Sequence, residues 1–401
     1  MARTSRWLPW LSLVAFTMSL GALADPALAK TVTIPKKGAK CADDQACHNR
    51  WHPAIKPAAT ADPGDTVVFG TRDAFDHTFT RTSVPADVAG ANLNLVHPLT
   101  GPLFVNGAEA GDVLAVTIGD IVPDKFGYTV IVPGFGFLRD LFPNPHIVRW
   151  DLTRSTATSP DMPGVKVRFN GFTGTIGTAP GPKETDLMFQ REDALMKAGG
   201  FVLPPEPKDA LPVDVCGPAG SNKDRCLRTI PPRENGGNLD VKQLTRGSVL
   251  QVPVAVDGAL FSVGDGHFAQ GDGEVCVTAV EMGATAVVKF RVIKDAGPTL
   301  ARGPRFRHGD YFAPPEWSAP RRFLAATGMP IREDGVNEGE NLTLACRNAL
   351  LNLIDLLQER GWTREQAYVI SSVAADLRIS NVVDVPNYVV SALIPEAIFS
   401  R

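Results

Sequence analysis

Residues 112–122 read DVLAVTIGDIV, a short run of aliphatic and β-branched side chains closed off by Gly111 and Pro123. Such a run suits a pleated, half-buried strand. Working outward, the same texture returns at 65–73 (DTVVFGTRD), 164–172 (GVKVRFNGF), 248–256 (SVLQVPVAV) and 284–293 (ATAVVKFRVI). With 37 glycines and 33 prolines punctuating the chain, residues 31–295 read as a β-rich body of strands and turns with long functional loops. A helical period is convincing only near the C terminus. In 342–362, LTLACRNALLNLIDLLQERGW, the residues Leu350, Leu353, Ile354 and Leu357 recur at helical spacing, and Gly361 is a natural stop. Thr363 and Gln366 then have the spacing of a capping box at the start of a second helix. Residues 381–395 resemble a strand returning to the body, and 296–340, rich in Pro, Arg and Gly, reads as a crossover loop. The expected fold is therefore α+β and β-rich. It has a predominantly antiparallel sandwich-like or barrel-like body, and a smaller helix-helix-strand segment at 341–401 completes the same domain.

The composition is that of a globular protein: 44% hydrophobic, 21% charged, formal net charge −3. The absence of a basic patch or charge block argues against nucleic acid and anionic membrane surfaces as partners, and a small neutral substrate fits better. The N terminus carries Arg3 and Arg6, an apolar run from Leu8 to Ala24, and Ala-Leu-Ala at 22–24 and again at 27–29. This pattern reads as a signal peptide over 1–24, with cleavage as late as 29 as the alternative. A periplasmic or secreted protein, off the membrane once the signal is removed, is the expectation; an uncleaved anchor is the competing reading. Cys41 with Cys47 and Cys216 with Cys226 are close pairs in polar sequence, suited to two local disulfides in an oxidising compartment. Cys276 and Cys346, in apolar surroundings, are expected reduced and buried.

The polar residues concentrate at 264–274, GDGHFAQGDGE, where Asp265, His267, Gln270, Asp272 and Glu274 alternate with four glycines. On a strand, Asp265 and His267 point the same way and could hold a metal. Beyond a turn at 270–274, a second strand, EVCVTAVEM at 274–282, would turn Glu274 to one face. Glu281 falls on the other parity, and only a bulge would bring the two together. Asn238 and Asp240 follow the Gly236-Gly237 pair, where backbone or ligand can approach closely. His97, before Pro98, is a further candidate. Cys276 could serve as a nucleophile activated by a neighbouring base, although its valine flanks suit packing better.

In this order, HPLTGPLFVNGAEAGDVLAVTI (97–118), GFTGTIGTAPG (171–181), GGNLD (236–240), GALFSVGDGHFAQGDGEVCVTAVE (258–281) and SSVAADLRISNVVDVPN (371–387) resemble the acetamidase/formamidase family. The resemblance implies hydrolysis of the C–N bond of small amides to ammonia and a carboxylate. It also implies a β-rich homo-oligomer and an associated divalent metal, zinc ahead of calcium. Among its implied site residues are Asn238, Asp240, Asp265, His267, Gln270, Asp272 and Glu274. The chain departs from the family pattern in its export signal, its two cysteine loops, and Val277 where glycine is more usual. The mechanism expected from both lines has Asp265, His267 and Asp240 holding a metal that activates water. Glu274 or Asp272 handles the proton, Asn238 and Gln270 assist catalysis, and Gly271, Gly273 and His97 line the substrate. An exported small-amide-binding protein without catalysis is the alternative from another class.

Overall fold

The alternating stretches pair into one 15-stranded sheet, accompanied by a two-stranded and a three-stranded sheet. The computed structural model describes residues 29–309 and 320–400; the expected signal peptide and residues 310–319 lie outside these. The long strands Val113–Ile131 and Glu281–Ile293 form an antiparallel spine with two register shifts, one at Met282/Ala284. Pairing is antiparallel throughout the large sheet except where Thr31–Ile34 runs beside Thr66–Thr71 and Ala59–Ala61 beside Leu99–Val105. The β-rich, predominantly antiparallel architecture is thus the one expected.

One strand positions the chemistry. Phe261–His267 is buried along its whole length and pairs on one edge with Phe172–Gly177. On its other edge it pairs first with Leu99–Val105 and then, at Gly266 and His267, with Met282 and Glu281. Directly opposed residues of an antiparallel pair project to the same face. His267 and Glu281 are therefore neighbours by register.

The C-terminal helices form as read. Leu342–Gln358 buries Leu350, Leu353, Ile354 and Leu357, with the Asn341 side chain accepting from the Leu344 N–H at 3.0 Å. Arg364–Ala374 opens on the capping box, Thr363 and Gln366 exchanging side-chain-to-backbone bonds of 3.1 and 3.2 Å. Both helices share one hydrophobic cluster with the body. Three expectations are corrected. The expected β body also holds a 16-residue helix, Pro182–Lys197. The returning strand is Val389–Pro395, and it joins Asp376–Asn381 and Phe323–Gly328 in the three-stranded sheet. The 296–340 segment is consequently more than loop: Arg305–His308 also pairs, with Ser248–Gln251. Available partners decide strand formation here against a sequence rich in breakers.

Candidate active site

His267 is the hub of a buried acidic cluster. Its Nε2 lies 3.3 Å from Glu281 Oε2, 3.4 Å from Asp265 Oδ1 and 3.9 Å from Glu274 Oε1. On the other side of the ring, Nδ1 lies 4.0 Å from Asp240 Oδ1 and 2.9 Å from Gln270 Oε1. The Gln270 amide donates onward to the Asp240 carbonyl at 2.8 Å, so its carbonyl oxygen is turned to accept the Nδ1 proton. With Nδ1 committed to Gln270, it is Nε2 that faces Asp265 and Glu281.

Three of the carboxylates arrive from separate stretches of chain, Asp265 from the strand Phe261–His267 and Asp240 and Glu274 from the irregular segments that follow Gly236–Asn238 and the strand itself. Asp240, Asp265 and Glu274 all have positive φ, at 48°, 57° and 43°, a conformation that costs a non-glycine residue about 1–2 kcal/mol and is concentrated at functional sites. Asp240 is held by Asn238, whose amide donates to it at 2.7 Å. Thr175 donates to Asn238 at 2.7 Å and to Asp265 at 3.2 Å. Gly174 clears the space: a Cβ there would stand 2.4 Å from Asp240 Oδ1 and 2.6 Å from Asp265 Oδ2.

Burial pushes the Asp240 and Glu281 carboxyls up to about 7, and the charge of Asp265 adds to the rise in both. Glu274 is raised well above the usual range by burial and by Asp240. Asp265 goes the other way: despite its burial, His97 and His267 draw it below the usual range. Burial alone would lower His267, but Glu281 and Asp265 raise it well above its ordinary value. In this cluster four carboxylates, Asp240, Asp265, Glu274 and Glu281, share the His267 imidazole, so negative charge is in excess. Four of its buried atoms, Asp240 Oδ1, Asp265 Oδ1, His267 Nε2 and Glu281 Oε2, have no hydrogen-bond partner. They belong to two triads, Asp240–His267–Glu274 and Asp265–His267–Glu281, whose ligand atoms lie within 4.8 Å of one another. Buried acceptors that face only each other are the donor set of a divalent cation site.

A cavity of about 90 Å³ opens on this cluster. Asn238, Asp265, Glu274 and Glu281 line one side, and apolar groups including Phe75, Val96, Phe135 and Ile230 line the other. His97 also lines it, with Nε2 3.8 Å from Asp265 and a buried, unpartnered Nδ1.

The structure brings together Asp240, Asp265, His267 and Glu274, with Asn238 and His97 beside them. It corrects the rest. Residues 270–280 form turns rather than the expected strand over 274–282, so Glu281, which strand parity excluded, enters the cluster through its register with His267. Gln270 stands behind His267, between Nδ1 and the Asp240 carbonyl, and is not among the described residues that line the cavity. Asp272 faces elsewhere, toward Gln243 at 3.3 Å and Lys242 at 3.6 Å, because its own N–H is bonded to Asp376. Gly271 and Gly273 are not among the described residues that line the cavity. Gly271 instead admits the end of the second C-terminal helix, since a Cβ there would stand 2.0 Å from the Ala375 carbonyl. Asn238 has one amide hydrogen committed to Asp240, which leaves only the other for substrate. Glu281, Gly174 and Thr175 were missed as site residues. The last two lie in the GFTGTIG stretch, which has no titratable side chain to draw attention.

Both expected disulfides, Cys41–Cys47 and Cys216–Cys226, are present. Cys276 is free and fully buried, and Cys346 is free but only half-buried.

The profile of the Acetamidase/Formamidase family matches residues 34–401. An acetamidase of Mycolicibacterium smegmatis is 38% identical over 351 residues, covering 80% of this chain and 84% of the relative. A formamidase of Methylophilus methylotrophus is 32% identical, covering 89% and 90%. Among solved structures, a gamma lactamase from Delftia acidovorans superposes with a TM-score of 0.86 at 33% identity, over 93% of this chain and 94% of that one. The chain belongs to the acetamidase/formamidase family, and its chemistry is amide C–N hydrolysis.

Proposed function

We propose that this protein is an exported hydrolase of small linear amides, formamide-like or acetamide-like, that works with a divalent metal. The observation that carries the metal is the set of four buried, unpartnered ligand atoms around His267. Asp265, His267 and Glu281 would hold the ion, with Asp240 at its side, and a zinc-like ion suits the imidazole among oxygens better than calcium does. Such an ion, when bound, polarises a carbonyl and makes water a stronger acid.

The remaining work falls to the chain. Gln270 fixes the His267 ring so that Nε2 keeps its lone pair. Thr175 and Asn238 hold Asp265 and Asp240 in place, and the second amide hydrogen of Asn238 faces the cavity as a donor to the substrate oxygen. Glu274 presents Oε1 to the cavity as the proton carrier: it takes a proton from the attacking water and passes it to the departing nitrogen. The apolar side of the cavity excludes bulk water from the reacting carbon. The named similarities support formamide, acetamide and a lactam as the first substrates to try.

Export is supported by the two disulfides, which persist in oxidising compartments. Among the described residues, no helix is long and apolar enough to cross a membrane. N-terminal sequencing of the mature protein should begin at Asp25 or Lys30. Ammonia release from formamide and acetamide, and amino-acid formation from the lactam, test the function: a chelated, verified metal-free preparation should be inactive and should recover with zinc. Full turnover without metal would remove the metal from this reading, and no hydrolysis of any of these amides would leave the non-catalytic binding protein.

A further inference from the structure

The apolar side of the cavity belongs to a hydrophobic cluster separate from the main core. It is built on Phe75, Phe79, Val96, Tyr128, Val130 and Val132. Phe75 enters it from a turn at 73–78 that is pinned with unusual thoroughness. The buried Asp73 carboxylate accepts from the Phe75 N–H at 3.1 Å, the His77 N–H at 3.0 Å and the Tyr128 hydroxyl at 2.6 Å; His77 Nδ1 lies 2.6 Å from its other oxygen. From outside, the Cys41 N–H reaches both oxygens of Asp76 at 3.0 Å, and the Lys40 ammonium reaches the Asp76 carbonyl at 2.6 Å. Cys41 is itself fixed by its disulfide. Rings complete the frame: Phe75 packs 5.1 Å from Phe79 and 6.2 Å from Tyr128, centroid to centroid. Tyr128 is also the cross-strand partner of Glu281. Wall and acidic floor are thereby tied to one residue.

A turn held by two buried carboxylates and a cross-linked loop, carrying one aromatic ring into a small cavity, is a means of fixing a dimension. We infer that Phe75 sets the size of the acyl group this site admits, and that Asp73 and Asp76 are positioning residues that hold it to that size. The inference rests on the amide-hydrolysis reading and names which amides are taken: those whose carbon chain ends against the Phe75 ring.

The experiment measures kcat/KM for formamide, acetamide and isobutyramide by ammonia release, with the full mature chain and its F75A and F75W variants. F75A should raise the isobutyramide-to-acetamide ratio about tenfold or more, the scale of one or two methylenes in a pocket, and F75W should lower it. Opposite movement cannot come from general damage, which changes all amides alike. An unchanged ratio in both variants, or movement in the same direction, overturns the inference while leaving the amidase intact; a wild-type protein inactive on the whole panel overturns the amidase reading itself. For the positioning role, Asp73→Asn should raise the isobutyramide-to-acetamide ratio in the direction of F75A, by a smaller factor. Both amides slowed alike at an unchanged ratio would show a merely structural aspartate.

Discussion

Two acidic clusters grow from the same Gly-rich stretch, and they are electrostatic opposites. Around Lys242, every carboxylate is answered. Asp376 pairs with the Lys242 ammonium and with Arg378, and it also accepts the Asp272 N–H at 3.1 Å. Asp272 takes Gln243 and keeps 39% of its side chain in solvent. Around His267, four carboxylates share one imidazole, and the side chains of His267, Asp265 and Glu281 are 1–2% exposed. Desolvated, unpaired acceptors cost stability. The contrast teaches how to tell scaffold from site when both consist of aspartates a few residues apart. A cluster whose charges cancel holds the fold, and one whose charges do not cancel awaits something to bind.

The sharpest way to break that comparison is to neutralise the unpaired cluster. Asp265→Asn and Glu281→Gln should each lower kcat/KM for acetamide on the order of a thousandfold. In chelated protein the same Glu281→Gln change should raise stability by about 1 kcal/mol, since it removes a charge whose burial, with the repulsion of Asp265, outweighs the attraction of His267. Thermal melts with and without chelator read the second effect; a variant that is both active and no more stable would place Glu281 on the scaffold side. Next in size comes Gln270→Ala, which frees the His267 ring. Metal affinity, measured by competition with a chromophoric chelator, should fall about 10–100-fold, and an unchanged affinity would show that Gln270 does not orient the ligand.

Most of the strand-rich body and the two C-terminal helices were legible because periodicity and capping are local signals; the helix Pro182–Lys197, which buries Thr185 and Met188 and carries no continuous apolar stripe, was not. Thr363 and Gln366 announced a helix start, and they form one. The site was legible by composition and much less so by geometry. Asp265, His267, Asp240 and Glu274 could be named from their types and their glycines. Glu281 could not, because its place comes from pairing with His267 across strands rather than from distance along one strand. Asp272 looked equivalent to Glu274, and what separates them is a contact with Asp376 more than a hundred residues away. Gly174 contributes by lacking a side chain where two carboxylates need room, and only their approach reveals it.

The paired cluster gives the complementary test. Lys242→Met should destabilise the protein by about 2–3 kcal/mol, because Asp376 loses its buried cation. Turnover at saturating amide should stay within a fewfold of wild type. Denaturant unfolding and initial rates on the same preparation separate the two quantities, and a collapse of kcat in a folded Lys242→Met protein would move this cluster into the active site.

The smallest effect belongs to Cys276, which directly follows the Gly-rich stretch and is the residue a covalent mechanism would choose. Its thiol is fully buried, with Sγ 3.6 Å from the carbonyls of Val130 and Thr278, and burial pushes its pKa up, away from the thiolate. Its backbone N–H is taken by Ser372 at 3.1 Å, so it serves as a seat for the second C-terminal helix. It is not among the described residues that line the cavity. Cys276→Ala should therefore cost about 1 kcal/mol of stability, from the small void left in the core, and leave kcat for acetamide within about twofold of wild type. A nucleophile would lose several orders of magnitude on the same change and would trap an acyl-enzyme detectable by mass. Either result would shift the catalytic centre from the unpaired carboxylates around His267 to the sulfur beside them.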